Sequence, residues 1–354
     1  MAVDNEMGRA ARPGRSEGPA CVCVDAAGGD EPVSTVLEGV ARALDADSAL
    51  SVVLTGPAEE IVPFSETYPG RCEAHPTTQV IGMGEHPAEA VRSKRDSSIV
   101  VGCKLVRSQR AGGFFSAGST GAVLAAATLG IGRIKGIDRP ALTTAIPGPR
   151  PTVFLDLGAN ADCRPEHLVQ FAQMGCAYAR VVVGVENPRV GLLNIGSEDT
   201  KGSLDAQACF AALRESVPEF AGNAEGNDLF KGSFDVIVSD GFTGNVALKV
   251  LEGTAKFIVG ELKEGVMASL PRKLAGAVLK PVFSGVRDKL SGDTYGGAVL
   301  LGVNGVVVIG HGATSPEAVM NGTLCVADAI RGDLVGQIAD ACRAAENDSI
   351  GAGA

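Results

Sequence analysis

The chain has 354 residues and carries 31 Lys+Arg against 41 Asp+Glu, a formal charge of −10 that excludes a nucleic-acid binder held by net positive charge. With 45% apolar and 20% charged residues it is no disordered chain, and no run reaches the ~18 uncharged apolar residues of a membrane span. Its 47 glycines, set against no tryptophan and only 12 Phe and 3 Tyr, describe tight turns between aliphatic elements.

Residues 1–18 carry charge throughout, lack an apolar h-region and read as a flexible tail, not a signal peptide. From there short apolar runs alternate with helical patterns. Strands are expected at 20–25 (ACVCVD), 50–55, 79–83 (QVIGM), 113–117, 152–157, 190–195, 235–240 (DVIVSD) and 305–310, and helices at 32–44, 97–109, 119–130, 165–179 and 245–257. Near-continuous apolar strands alternating with helices predict an α/β fold, with a mostly parallel sheet covered on both faces. No Pro/Ser-rich linker interrupts residues 19–343, which read as a single unit. Within it 254–291 read as a projecting helical segment, its apolar tip near Leu270 and Val282-Phe283 and its breaks at Pro271 and Pro281. Residues 344–354 read as a second flexible tail. The nine cysteines are odd in number and contain no Cys-x-x-Cys pair, so they read as reduced core residues with no zinc set.

Six strands run into small-residue turns: Asp25–Asp30, Ser116–Gly121, Asp156–Asn160, Asn194–Gly196, Asp240–Asn245 and Ile309–Gly312. In open α/β sheets, ligands bind beyond the carboxyl ends of strands, where glycine admits close approach to the backbone and helix N-termini present N–H groups. Gathered together, six such turns predict an anion or phosphate pocket. Taken singly, each only ends a strand. There is no Gly-Lys dipeptide, hence no Walker A loop, and no strand leads into G-x-G-x-x-G. Gly14-Arg-Ser-Glu-Gly18 has the spelling of a hydrolase nucleophile elbow, but it sits in the tail without the strand and helix that chemistry needs.

Two segments oppose the global charge. Arg92, Lys94, Arg95, Lys104, Arg107 and Arg110 stand against Asp96 alone, and residues 269–289 hold Arg272, Lys273, Lys280, Arg287 and Lys289 against Asp288. Each segment reads either as a solvated helix face or as a dock for an acidic partner or an anionic membrane.

The motifs DAAGGD (25–30), KRDSS (94–98), SAGSTGA (116–122), GIDRPAL (136–142), DLGAN (156–160), QFAQMG (170–175), NPRVGLLNIG (187–196) with Lys201-Gly202, DGFTGN (240–245) and GVNGVVVIGHG (302–312) are each short. In this order and spacing they resemble the bacterial phosphate acyltransferases of phospholipid synthesis. The resemblance implies a three-layer α/β/α fold similar to that of isocitrate and isopropylmalate dehydrogenases, and a cytoplasmic homodimer that needs no cofactor or metal. It further implies acyl transfer from acyl-acyl-carrier-protein to inorganic phosphate, and a loose association with the membrane and with a membrane glycerol-3-phosphate acyltransferase that uses the acyl phosphate. Nucleic acid is not a partner. Ser119 stands where the family commonly has Asn, Ala27 where it has Met and Gly113 where Asp is frequent. The first loop is one residue shorter than the family's and lacks its His.

Phosphate is itself the nucleophile in such a reaction, so the protein must hold a dianion in line with a thioester and stabilise the oxyanion and the departing thiolate. The resemblance and the chemistry together give Lys201, Asn194 and Asn160 catalytic roles, with Lys201 neutralising phosphate or thiolate. They give phosphate or substrate contact to Gly28, Gly29, Asp30, Ser116, Gly118, Ser119, Thr120, Gly121, Asp240, Thr243, Gly244, Asn245, Lys249 and His311. Carrier-protein or membrane contact falls to Arg92, Lys94, Arg95, Arg272, Lys273 and Lys280. Against this, Asn160 and Asn245 also read as helix caps, Lys201 as a surface residue, and Asp156 and Asp240 as residues that orient their turns. Three other functions stay open. They are a short-chain acyl-CoA:phosphate transferase of the phosphotransacetylase type, a non-catalytic phosphate or acyl-binding paralogue, and a dehydrogenase of the same fold, for which no metal cluster or dinucleotide loop is found.

Overall fold

The computed structural model describes residues 18–290 and 296–351, so the tail read at 1–18 lies outside them except for Gly18. In chain order the elements are β1 (Ala20–Asp25), α1 (Val33–Ala46), β2 (Leu50–Gly56), α2 (Ala58–Glu66), β3 (Cys72–Pro76), α3 (Pro87–Ser93), α4 (Ser98–Arg107), β4 (Gly113–Ser116), α5 (Thr120–Ala126), β5 (Ala141–Ile146) and β6 (Thr152–Leu155). There follow α6 (Pro165–Tyr178), β7 (Val190–Leu193), α7 (Leu204–Ser216), β8 (Phe220–Ala224), β9 (Val236–Val238), α8 (Gly241–Met267), α9 (Leu270–Leu290), β10 (Ala298–Leu301), β11 (Val306–Ile309), α10 (Pro316–Arg331) and α11 (Leu334–Gly351).

The strands form one sheet in the order β3-β2-β1-β4-β11-β10-β5-β6-β9-β7-β8. Pairing is parallel from β3 to β11 and again from β6 to β8, and antiparallel at the central steps β11–β10, β10–β5 and β5–β6. Three successive reversals leave β6, β9, β7 and β8 running opposite to β1–β4 and β11. The carboxyl ends of the two halves therefore open at opposite edges of the sheet.

Period-two burial builds the layers. In β1, Ala20, Val22 and Val24 point into one core while Cys23 points into the other. The first core is closed by α1, α6, α7, α10 and α11, through residues such as Val40, Phe171, Phe210, Val319 and Ile338. The second is closed by α3, α4 and α5, with Ala247, Leu248 and Leu251 of α8 packed against it. Helices on both faces of a mostly parallel sheet are the three layers expected. All nine cysteines are free thiols, six of them buried.

The strand read at 79–83 is instead a loop. Gln79 keeps only an isolated bridge to Ser97, and Lys94 Nζ binds the Val80 carbonyl that a ladder would use. Four strands fell outside the expected runs: β3 and β8 are the sheet's own edges, and β5 and β10 form its antiparallel centre.

The projecting segment is a helix pair, but neither proline breaks it. Pro271 falls in the first turn of α9, where a missing N–H costs nothing, and the helix runs on through Pro281. Leu270, Leu274, Val278 and Val282 recur every fourth residue along α9, each more than half exposed, with Arg272, Lys273 and Lys280 exposed beside them. No helix among the described residues is long and apolar enough to cross a membrane. Helix α11 carries the chain to Gly351, into the stretch read as a tail.

Candidate active site

The six glycine turns do not form one pocket. Strand direction sorts them into two groups of three. The turns after β1, β4 and β11 meet at one edge of the sheet, and those after β6, β9 and β7 line the other.

At the first edge the turns interlock through their backbones. Gly29 has φ +103°, and a Cβ there would lie 3.0 Å from the Gly312 carbonyl oxygen and 3.1 Å from that of Ala117. Asp30 N–H donates to Gly312 O at 2.9 Å. Beneath them Asp25, fully buried at the end of β1, accepts from Ala27 N–H (3.0 Å), from Ser116 Oγ–H (2.7 Å), from the Gly28 N–H and from the Ser98 hydroxyl. Burial pushes its carboxyl above the usual carboxylate range, and these hydrogen bonds pull against that shift. Ser116 Oγ in turn accepts from Gly118 N–H at 3.0 Å. The Ser116 hydroxyl is thus spent inside the protein and is withdrawn from the phosphate contacts expected of it. The free groups are different. Ser119, only 8% exposed, stands at the N-cap of α5 with no cap hydrogen bond, and Thr120 beside it is exposed. Their hydroxyls join the unpaired N–H groups of the first helical turn. His311 Nδ1 accepts from Ala313 N–H at 3.2 Å, so the neutral ring carries its proton on Nε2.

At the second edge Asp156 plays the part that Asp25 plays at the first. Its Oδ1 accepts from Leu142 N–H (2.9 Å), Gly158 N–H (3.3 Å) and Ala159 N–H (3.1 Å), and its Oδ2 from Asn160 N–H (2.7 Å) and Asn160 Nδ2 (2.9 Å). Burial raises this carboxyl too, against the same pull of donors. Asn160 Nδ2 also donates to Pro140 O at 2.8 Å, so its amide hydrogens are committed and cannot meet an oxyanion. Asp240 caps α8, accepting from Thr243 N–H (2.8 Å) and Thr243 Oγ1–H (2.7 Å). It orients its turn, and the Thr243 hydroxyl is spent on it. Gly244 lies against the Asp156 backbone, while Asn245 is exposed beside Gly158.

Asn194 Nδ2 donates to Lys201 O (3.1 Å) and to Asn223 Oδ1 (3.0 Å), and its Oδ1 accepts from Ile195 N–H (2.8 Å). Asn194 therefore shapes the loop that carries Lys201, leaving no amide group for substrate. Asn223, which belongs to no recognised motif, closes the same loop through Nδ2 to Glu198 O at 2.8 Å. The Lys201 ammonium is exposed, and among the described residues it is paired only with Glu198, at 3.7 Å. Lys249, two turns into α8, pairs with Glu252 at 2.9 Å.

The basic run at 92–110 is partly structural. Lys94 binds Glu85 at 2.6 Å and Val80 O at 2.8 Å, which takes it out of any docking set and holds the Glu85 carboxyl below the usual carboxylate range. Arg92 and Arg95 stay exposed. The buried carboxyl of Asp25 had no assigned role; its only sequence signal is an acid ending an apolar strand just before small residues.

The family model described as "Fatty acid synthesis protein" matches residues 20–335. The phosphate acyltransferase of Desulfitobacterium hafniense is 42% identical over 323 residues, covering 90% of this chain and 96% of that protein. The phosphate acyltransferase of Anaeromyxobacter sp. strain K is 44% identical, covering 90% of each. Among solved structures, a phosphotransacetylase from Streptococcus pyogenes superposes with a TM-score of 0.57 at 16% identity, covering 88% of this chain and 94% of that one. A 4-hydroxythreonine-4-phosphate dehydrogenase from Klebsiella pneumoniae gives 0.51 at 12% identity, covering 88% and 98%. At such identities the structural likeness establishes the fold alone, and it is the fold expected from the sequence. Sequence identity of this depth, over nearly the whole of both chains, places the protein in the phosphate acyltransferase family.

Proposed function

We propose that this chain transfers a fatty acyl group from acyl-acyl-carrier-protein to inorganic phosphate, giving the acyl phosphate used in phospholipid synthesis. The observation that carries the reading is 42% identity to a phosphate acyltransferase over 90% of the chain. The glycine turns at the carboxyl ends of strands give it a chemical basis.

In this reaction a phosphate oxygen attacks the thioester carbonyl carbon. A C–O bond forms, the tetrahedral oxyanion collapses, the C–S bond breaks, and the thiolate takes the proton that hydrogen phosphate gives up. No residue need be acylated, and no cofactor is called for. We assign phosphate to the first edge, where the Ser119 and Thr120 hydroxyls, the first-turn N–H groups of α5 and His311 Nε2–H are free to donate. Lys201 stands beyond β7 at the opposite edge and is assigned to an anionic group of the carrier, not to the leaving sulfur, which is bonded to the carbon that phosphate attacks and so lies at the first edge. Helices α5 and α8, which start at the two edges, pack on the same face of the sheet.

Phosphate-dependent loss of thioester from palmitoyl-acyl-carrier-protein, with acyl phosphate trapped as hydroxamate, tests the reading. Acetyl-CoA in place of the carrier separates it from the phosphotransacetylase chemistry of its structural neighbours, and product from neither donor removes the catalytic reading. Lys201→Ala is expected to lower kcat/KM for the acyl donor at least about tenfold, or 1.4 kcal/mol, with an unchanged melting temperature. A variant as active as the parent takes Lys201 out of the site.

The carrier is acidic, and exposed Arg92 and Arg95 suit its docking. We further propose that the protein works in the cytoplasm as a homodimer resting on the membrane, close to the acyltransferase that uses its labile product. The apolar stripe on α9, flanked by Arg272, Lys273 and Lys280, has the form of an interfacial helix. Arg272→Glu with Lys273→Glu is expected to weaken binding to anionic liposomes roughly tenfold or more, since each basic residue near such a surface contributes about 1 kcal/mol. Liposome binding equal to that of the parent marks α9 as an ordinary surface helix.

A further inference from the structure

The first edge holds a buried carboxylate that the chemistry above does not use. Asp25 is fully enclosed where β1 ends, and the groups hydrogen-bonded to it are two backbone N–H groups and two serine hydroxyls, with no cation among them. Burying an acid without a cation is costly, so neutral donors must hold it in place. The surroundings are built to bring them there. Ser98 comes from the first turn of α4, whose N-terminus favours negative charge, and Thr55 Oγ1 of β2 anchors that turn by donating to Ser98 O at 3.1 Å. Gly28 is required by the same convergence, because a Cβ there would overlap the Asp25 carboxylate and lie 2.9 Å from both Gly118 N and Ser116 Oγ.

The hydrogen bonds run one way. Gly118 N–H donates to Ser116 Oγ (3.0 Å), and Ser116 Oγ–H donates to Asp25 Oδ2 (2.7 Å). An acceptor-only carboxylate compels Ser116 to give it the hydroxyl proton, which turns a serine lone pair toward the Gly118 peptide. The Gly118 peptide opens the turn that presents Ser119, Thr120 and the first N–H groups of α5. We propose that Asp25 is a positioning residue for phosphate, acting through Ser116 on the Gly118 peptide and hence on the donors that follow it. The inference rests on the assignment of phosphate to this edge.

Asparagine has nearly the same shape as aspartate, but its NH2 replaces one of the two acceptor oxygens. Whichever way the amide turns, an N–H faces either the Ser116 hydroxyl or the backbone N–H groups of residues 27 and 28. Asp25→Asn is therefore expected to raise KM for inorganic phosphate about tenfold or more while leaving KM for the acyl donor near that of the parent. Ser116→Ala, which removes one donor and leaves the other three on the carboxylate, is expected to do the same to a smaller extent. Because both changes cut one relay, the double variant should be no worse than Asp25→Asn alone. Multiplying effects, or a lowered melting temperature with an unchanged phosphate KM, reduce Asp25 to a structural residue and overturn the inference. If Asp25→Asn does not fold, Ser116→Ala alone decides, since an unaltered phosphate KM breaks the relay. Ser119→Ala with Thr120→Val separates the two levels of argument. If this pair leaves phosphate KM untouched, phosphate does not bind at this edge and both the assignment and the inference fall. If it raises KM while the Asp25 and Ser116 variants do not, only the positioning role is lost.

Discussion

Gly244→Ala is expected to lower kcat/KM for the acyl donor about a hundredfold, the loss that a misplacement of roughly 1 Å brings to a catalytic site. The new methyl would overlap the Asp156 carbonyl oxygen and stand 2.8 Å from Ser239 Oγ, two neighbours fixed at the carboxyl ends of β6 and β9. The nearer neighbour is backbone and cannot yield as a side chain could, so the first turn of α8 must move away from the sheet, taking Thr243 and Asn245 with it. Overpacking of this kind costs roughly 1–3 kcal/mol, which for a chain of this size lowers the melting temperature by about 1–4 °C. Gly253→Ala on the same helix is the control. Its Cβ meets nothing within 4 Å, and trading glycine for alanine in an exposed helix adds about 0.5–1 kcal/mol, so this variant should melt slightly higher and turn over normally. A Gly244→Ala protein that matches the parent in both respects would show that the start of α8 is not held to the Asp156 turn.

The elements that the sequence revealed are those whose burial is symmetrical. ACVCVD and DVIVSD are apolar on both faces because helices cover both sides of the sheet, and they could be recognised without knowing their neighbours. The edge strands β3 (CEAHP) and β8 (FAGNA) are half exposed and carry polar residues, so period and hydropathy pass them over. QVIGM has the opposite history. It is apolar enough for a strand, but Gly82 and Gly84 and the pull of Lys94 on the Val80 carbonyl keep it in a loop.

The six turns were legible in the same way, since each is a strand end rich in glycine. Their separation was not. Whether the carboxyl ends share an edge depends on how many antiparallel steps lie between β11 and β6, and β5 and β10, which make those steps, were not among the runs recognised. The fate of individual polar atoms was equally hidden. Ser116, Asn160 and Asn194 have the chemistry to bind phosphate, but each is spent on a partner that approaches from elsewhere in the chain: Asp25 for Ser116, Pro140 for Asn160, and Lys201 with Asn223 for Asn194. Composition names the donors of a site, and topology decides which of them remain free.

The largest loss of stability is expected from Asp156→Ala. The carboxylate gathers five N–H groups, of which those of Leu142 and Asn160 lie deep in the protein and have no route to water. Leaving a buried donor unpaired costs about 1–3 kcal/mol, so two of them together with the emptied space predict a loss of about 4 kcal/mol, roughly 5 °C in melting temperature for a chain of this size. Asp156→Asn discriminates a template from a space-filler. It preserves volume and one acceptor oxygen but turns an NH2 against other N–H groups, and a loss of about 2 kcal/mol is expected from the orphaned donor. Were the side chain merely filling space, the isosteric amide would be neutral and only the alanine variant would melt early. Function should follow the same order, because Gly241 N–H donates to Asn160 O at 2.8 Å and Asn160 is itself held by Asp156, so slackening the carboxylate loosens the first turn of α8. Urea melts of the three proteins, read beside their turnover of acyl donor, test both statements. An asparagine variant that equals the parent in stability and rate would leave the second-edge turn held by its backbone alone.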